Sequence, residues 1–244
     1  EVNITRNVSD GRYNVGGHAY DSYFFQGEIR DYRLIIGSAI APPSGGPDEP
    51  LTSPSGTELL LCAAPYLGDK NTQETPKSIN IVGDPKTVPS GPYDYGEASV
   101  TDGGSIDLDG SDYLSLSSSS DFAFGTGAFT IQVWVRKSAT GSTQTIAGTR
   151  TSTSDTTGWS LVVNSSNQVG LYTNAYQVQG GSISANTWHF IEISYEGSGT
   201  TLRLYIDGAY VAAGTQAQTF SKDALTIGTA LILSLIHISE PTRR

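Results

Sequence analysis

Methionine is missing from all 244 residues, and cysteine occurs only once, at Cys62. A single cysteine excludes an internal disulfide and a cysteine-bound metal cluster, so packing alone must hold the fold. Basic residues are scarce too: 14 against 24 acidic ones leave a formal charge of −10. That balance repels phosphate backbones and speaks against nucleic acid as a partner. No run of about 18 apolar residues is present to insert in a membrane as a helix, and no stretch longer than a turn carries helical periodicity. What the chain has in quantity is glycine, 28 residues, with abundant serine and threonine. Charged residues make up 16%, against about 25% in an average soluble protein. With 37% hydrophobic residues, this is the composition of a β-fold with tight turns and enough apolar surface for a core.

The absent methionine, with Glu1-Val2-Asn3 reading like the middle of a folded segment, suggests a chain cut from a longer one. At the other end, Leu233-Ser234-Leu235-Ile236-His237-Ile238-Ser239-Glu240-Pro241-Thr242-Arg243 resembles the conceptual translation of a transposon-derived sequencing adapter. Residues 233–244 are therefore expected to be read-through and are set aside from fold reasoning.

Between these ends, strands are punctuated by turn residues. Glu28 to Ile36 alternates Tyr32, Leu34 and Ile36 onto one face and ends at Gly37. Ala41-Pro42-Pro43-Ser44-Gly45-Gly46-Pro47-Asp48-Glu49-Pro50 follows without periodicity and reads as a linker. Glu58 to Ala63 is a continuous apolar run, suggesting a strand buried on both faces. The polar stretch from Gly68 to Ser90, with Pro76, Pro85 and Pro89, is expected to be an irregular excursion. Strands resume at 105–108 and 113–116. The clearest is Phe129 to Val135, with Phe129, Ile131, Val133 and Val135 on one face. Further strands are expected over 144–149, 159–163, 169–173, 188–195 and 201–206, and Asp207-Gly208 predicts a two-residue type I′ hairpin turn.

Two segments carry a family resemblance. Gly127 to Val135, and Thr187-Trp188-His189-Phe190-Ile191-Glu192-Ile193-Ser194-Tyr195 running on to Leu204-Tyr205-Ile206-Asp207-Gly208, resemble a laminin G-like domain of the concanavalin A-like lectin/glucanase superfamily, as does Leu108 to Leu114 upstream. The resemblance implies an all-β, antiparallel jelly-roll β-sandwich. Phe25 to Leu34 looks like the closing strand of another copy. Residues 1–41 are then the C-terminal end of a preceding repeat, 42–55 a Pro/Gly linker, and 56–232 a domain lacking its own last strand. A sheet without that strand has an open edge. The segment 23–36 is expected to fill it beside Leu59 to Ala63, as a permuted closing strand.

The superfamily includes glucanases, whose paired carboxylates sit on alternate residues of one strand. No such constellation is legible: Glu192 stands alone on its strand, and Glu28 with Asp31 lacks the spacing, so an enzyme is not expected. His189 has no serine or cysteine nucleophile at a meaningful spacing. Asp107, Asp109 and Asp112 place oxygens around a glycine turn, the type of ligand calcium prefers, without the full twelve-residue loop. Calcium is thus the one cofactor suggested. Tyr93, Tyr95, Tyr172 and Tyr176 fall at predicted turns or strand ends, where aromatic rings stack on sugars. The resemblance as a whole implies a non-enzymatic module that recognises glycan or a cell-surface protein. Its setting would be a tandem array with neighbouring repeats, of phage tail-fibre or bacterial surface type, extracellular or on a virion. A purely structural spacer or decoration domain is the alternative.

Overall fold

A computed structural model of the chain describes residues 23–63, 67–93, 104–138, 140–152, 154–197, 199, 201–215 and 218–229. Within them lie β1 (Gln26–Ile36), β2 (Thr57–Leu61), β3 (Ile79–Val82), β4 (Lys86–Val88), β5 (Ser105–Asp109), β6 (Tyr113–Leu116), β7 (Phe129–Lys137) and β8 (Gln144–Gly148). They continue as β9 (Ser160–Val163), β10 (Val169–Tyr172), β11 (Tyr176–Gly180), β12 (Trp188–Tyr195), β13 (Leu202–Ile206), β14 (Ala209–Gly214) and β15 (Thr226–Ile227). The helical content among the described residues is a single 3-10 turn, Ser120–Phe122, capped by Ser119. No helix there is long and apolar enough to cross a membrane.

The strands form two antiparallel sheets packed as a sandwich, as expected. The first runs β14-β13-β12-β7-β1-β5-β4 with β2 also paired to β1; the second runs β11-β10-β9-β8-β15-β6-β3. Their inner faces meet in one core. Phe25, Ile29, Leu34, Ile131, Val133, Ile191 and Leu204 come from the first side, Leu114, Ile146, Leu161, Val163, Leu171 and Ile227 from the second. Full burial of each such side chain contributes about 1.5–3 kcal/mol. At one end Phe124 stacks on Phe129 at 4.5 Å and meets Phe220 edge-on at 5.4 Å, closing the core with aromatic area.

Strand β1 lies inside the first sheet. One side pairs along its length with β7, from Gly27↔Lys137 to Ile36↔Phe129. The other side is shared: Gln26 to Ile29 pair with β5, and Tyr32 to Ile35 with β2. The expected pairing beside Leu59 is therefore present. The handover between partners falls at Asp31, whose φ of 51° and whose N–H bond to the Cys62 carbonyl at 3.2 Å mark a bulge.

Four elements, β3, β4, β11 and β15, escape the pattern of the sequence. β3 and β4 lie inside the stretch expected to be irregular. They are sheet edges of only four and three residues, the positions where flanking prolines such as Pro85 and Pro89 are tolerated. β11 is a third, and β15 is two residues held between β6 and β8. The Asp207-Gly208 turn forms as predicted, with φ of 51° and 74°. Every residue of β7 except Arg136 is buried, including Thr130, Gln132 and Trp134. Simple alternation would have exposed those three.

Candidate functional site

The reason is the segment expected to be a free linker. After Gly37 the chain turns back across the outer face of the first sheet. Ile40 N–H donates to Thr130 Oγ1 at 2.9 Å, and that hydroxyl donates to Ser38 O at 3.0 Å. Pro43, Gly45 and Gly46 press on Gly208 in the β13–β14 turn. Gly46 passes so close to the sheet that a β-carbon there would lie 3.1 Å from Phe190 Cβ and 3.3 Å from the Trp134 ring. Leu51 N–H then donates to Asp31 Oδ2 at 3.0 Å, and Thr52 O accepts from Arg33 Nη1 at 2.8 Å. Residues 38–56 thus form a strap.

Beneath the strap lies a row of polar side chains that alternation places on one face. Arg33 Nε donates to Gln132 Oε1 at 2.7 Å, and Gln132 Nε2 donates to Glu192 Oε2 at 2.5 Å. The second Glu192 oxygen, Oε1, has no hydrogen-bond partner among the described residues. Burial pushes the Glu192 carboxyl up to about 8, against the opposing pull of Gln132 and Arg33. One step along, Arg30 Nε pairs with Asp31 Oδ1 at 3.1 Å and Arg30 Nη1 donates to Gly104 O at 2.7 Å. Burial raises the Asp31 carboxyl while Arg30, Tyr93 and Leu51 pull it back. At the far end Glu28 accepts from Arg136, Ser90 and Ser105. The sequence carried a signal for this row: Arg33, Gln132 and Glu192 each stand between apolar neighbours on their strands.

Tyr93 was expected as a rim aromatic and is not one. Its hydroxyl donates to Asp31 Oδ2 at 2.6 Å, and its ring meets Trp134 edge-on at 6.0 Å. A buried carboxylate in need of a donor accounts for this placement. Tyr95 lies outside the described residues.

Tyr172 and Tyr176 are brought together. They flank the β10–β11 turn with ring centroids 5.0 Å apart at 73°. The Arg150 guanidinium stands 4.8 Å from the Tyr172 centroid. Tyr176 rests on Gly170, where a β-carbon would meet its ring at 2.7 Å, so only glycine admits the ring. Tyr172 Oη donates to Asn174 O at 3.2 Å. Both rings are half-exposed, and Asn174 and Ala175 between them are exposed. Perpendicular rings braced by a cation present a fixed aromatic corner to solvent, a shape suited to the apolar face of a sugar.

Two of the three aspartates proposed for calcium, Asp109 and Asp112, cap turns. Asp109 Oδ1 accepts from the Ser111 N–H and hydroxyl at 2.8 and 2.7 Å. Asp112 accepts from Asp84 N–H at 2.7 Å and Asp109 N–H at 3.2 Å. Asp107 pairs in register with Lys86 of β4. Among the described residues the three carboxylates that converge are instead Glu58, Glu74 and Asp121, and Lys77 Nζ already sits 3.1 Å from Asp121 and 3.8 Å from Glu74. In the β8–β9 turn, Asp155 accepts from Thr151, Thr157 and Gly158. Burial works to raise its carboxyl, and these bonds overcome it, holding it at about 2.

A laminin G family model, described as the concanavalin A-like lectin/glucanases superfamily, matches residues 108–231, just over half of the chain. No curated protein matches. Among solved structures the chain is similar to domain 4 of AbnA, a GH43 extracellular arabinanase from Geobacillus stearothermophilus, in complex with arabinotriose. The identity is 16% and the TM-score 0.43, over 66% of this chain and 77% of that one. On the family match and the two-sheet sandwich together, the chain belongs to the concanavalin A-like lectin/glucanases superfamily.

Proposed function

We propose that this domain is a recognition module that holds glycan against the aromatic corner of Tyr172 and Tyr176. The observation that carries this reading is the braced pair itself: two half-exposed rings at 5.0 Å with Arg150 over one of them. Membership in a lectin-containing superfamily supports a carbohydrate over another ligand. Binding is favoured over glycoside cleavage because Glu192, the carboxyl on the outer face of β12, is fully enclosed and out of a polysaccharide's reach. The setting that fits such a module is an extracellular or virion surface protein built of repeated domains, with adhesion to a glycan-bearing cell as its role.

A glycan array probed with the whole chain and with a Tyr172→Ala/Tyr176→Ala double variant tests the reading. Binding by the wild type that falls at least tenfold in the variant, with an unchanged unfolding midpoint, supports it. Uniform silence favours the structural spacer, and binding that survives the double variant moves the site elsewhere. Repeating the array with a chelator asks whether Asp107, Asp109 and Asp112 hold calcium in solution.

A further inference from the structure

In sequence His189 had no nucleophile at a useful spacing; in space it has one. The β11–β12 loop returns Ser184 to the imidazole, with Ser184 Oγ 3.0 Å from His189 Nε2. On the far side of the ring, His189 Nδ1 lies 2.8 Å from Asp207 Oδ2. A carboxylate only accepts, so Nδ1 carries the hydrogen, and Nε2 turns its lone pair to the serine. That is the tautomer a general base requires.

Each member is held from behind. Asp207 occupies the left-handed position of the β13–β14 turn, and its other oxygen accepts Phe190 N–H at 2.8 Å. The loop carrying Ser184 is pinned on both sides: Ile183 N–H donates to Asn167 O at 3.0 Å, and Asn186 N–H donates to Lys137 O at 2.7 Å. Ile183 itself is buried, so the loop is anchored one residue before the serine. Ser184 remains exposed. Its backbone N–H also reaches Nε2, at 3.2 Å.

We infer that Ser184, His189 and Asp207 form a nucleophilic site that accepts acyl groups from small carboxylic esters and passes them to water. Ser184 Oγ bonds to the ester carbonyl carbon while its proton moves to His189 Nε2. The bond to the alkoxy oxygen then breaks, and the departing alkoxide takes that proton and leaves as an alcohol. Water attacks the acyl-serine, giving its proton to Nε2. When the carbonyl re-forms, the carboxylic acid departs and that proton returns to Ser184 Oγ. Esters fit better than amides because the serine is open to water and an alkoxide is the easier leaving group. Asp207 is partly solvated, its side chain 42% exposed, which weakens its hold on the imidazolium and makes a slow hydrolase the expectation. This activity is independent of glycan binding at Tyr172 and Tyr176, so the failure of one proposal leaves the other standing.

Incubating the whole chain with a fluorophosphonate and mapping the adduct by mass spectrometry tests the site, with p-nitrophenyl acetate hydrolysis measured in parallel. The expected result is a single adduct on Ser184, absent from Ser184→Ala and His189→Ala, with hydrolysis at least tenfold slower in both. Asp207→Asn, which keeps the shape of the turn, is expected to slow labelling and hydrolysis about tenfold. Equal hydrolysis by wild type and Ser184→Ala, an adduct on another residue, or no adduct at all overturns the inference. Ser184→Ala alters an exposed hydroxyl, so loss of the fold does not confuse the comparison.

Discussion

The outer face of the first sheet and the aromatic corner of the second place similar side chains in opposite circumstances. On the first, Trp134 and Arg33 lie against the strap at Gly46 and Thr52, while Tyr93 and Arg30 are tied to Asp31, which also holds the strap at Leu51. On the second, Tyr172, Tyr176 and Arg150 make the same kinds of ring and cation contact at the edge of solvent. Residue type alone does not distinguish a binding surface from an internal support. What separates them is whether another part of the chain has already taken the hydrogen bonds and the ring faces.

If the covered face is a support, damage there is costly. Asp31→Ala removes the acceptor for Leu51 and Tyr93 and leaves Arg30 buried without its carboxylate; a loss of about 3–5 kcal/mol is expected in urea unfolding. A loss below about 1 kcal/mol would mean the strap is not coupled to the sheet. Gly208→Ala forces a β-carbon into Pro43 and Gly45 at a φ of 74° and is expected to cost about 2 kcal/mol or more. The midpoint of thermal unfolding reports it, and an unchanged value would release the strap from the β13–β14 turn.

With the Glu192 carboxyl raised to about 8, the folded state between about pH 4.5 and 8 keeps a proton that the unfolded chain gives up. The contribution of Glu192 is therefore fullest below about pH 4.5, declines as pH rises, and levels off above 8. Glu192→Gln keeps the polar pairing without the charge, so it should lie within about 1 kcal/mol of the wild type at pH 5 and exceed it by about 4 kcal/mol at pH 9. Parallel stability curves across that range would refute the enclosed carboxyl. The smallest effect belongs to the open corner: Tyr172→Ala and Tyr176→Ala should each change stability by under about 1 kcal/mol. A larger loss would make that corner a support as well.

Much of the sandwich was legible because burial on one face writes itself as alternation. Ile131, Val133 and Val135 in β7 did so; the Asp207-Gly208 turn was legible from its residue types, and the pairing of 23–36 beside Leu59 from that segment's resemblance to a closing strand. The strap was not legible. Proline and glycine describe how a segment bends and say nothing about what it lies on, so Gly46 over Trp134 looked the same as a tether. Tyr93 was misplaced for the same reason, since its partner Asp31 is brought near only by the bulge in β1. Ser184 and His189 were separated by a reading along the chain, although a loop pinned at Ile183 and Asn186 brings them into hydrogen-bond reach.

The handover of β1 from β5 to β2 also bears on the order of assembly. β1 precedes every other described strand, yet its neighbours in the sheet include β7 and β5, far downstream. Phe25 N–H finds its acceptor at Gly228, with almost the whole described sequence between them. During synthesis a strand with an apolar inner face and charged groups on the other must therefore leave the ribosome and wait, one edge unpaired, until β7 has followed. Such long-range closure is slow and leaves the nascent chain open to association with other copies. Yield at low temperature or with a chaperone present would be governed by that interval more than by the final stability of the sandwich.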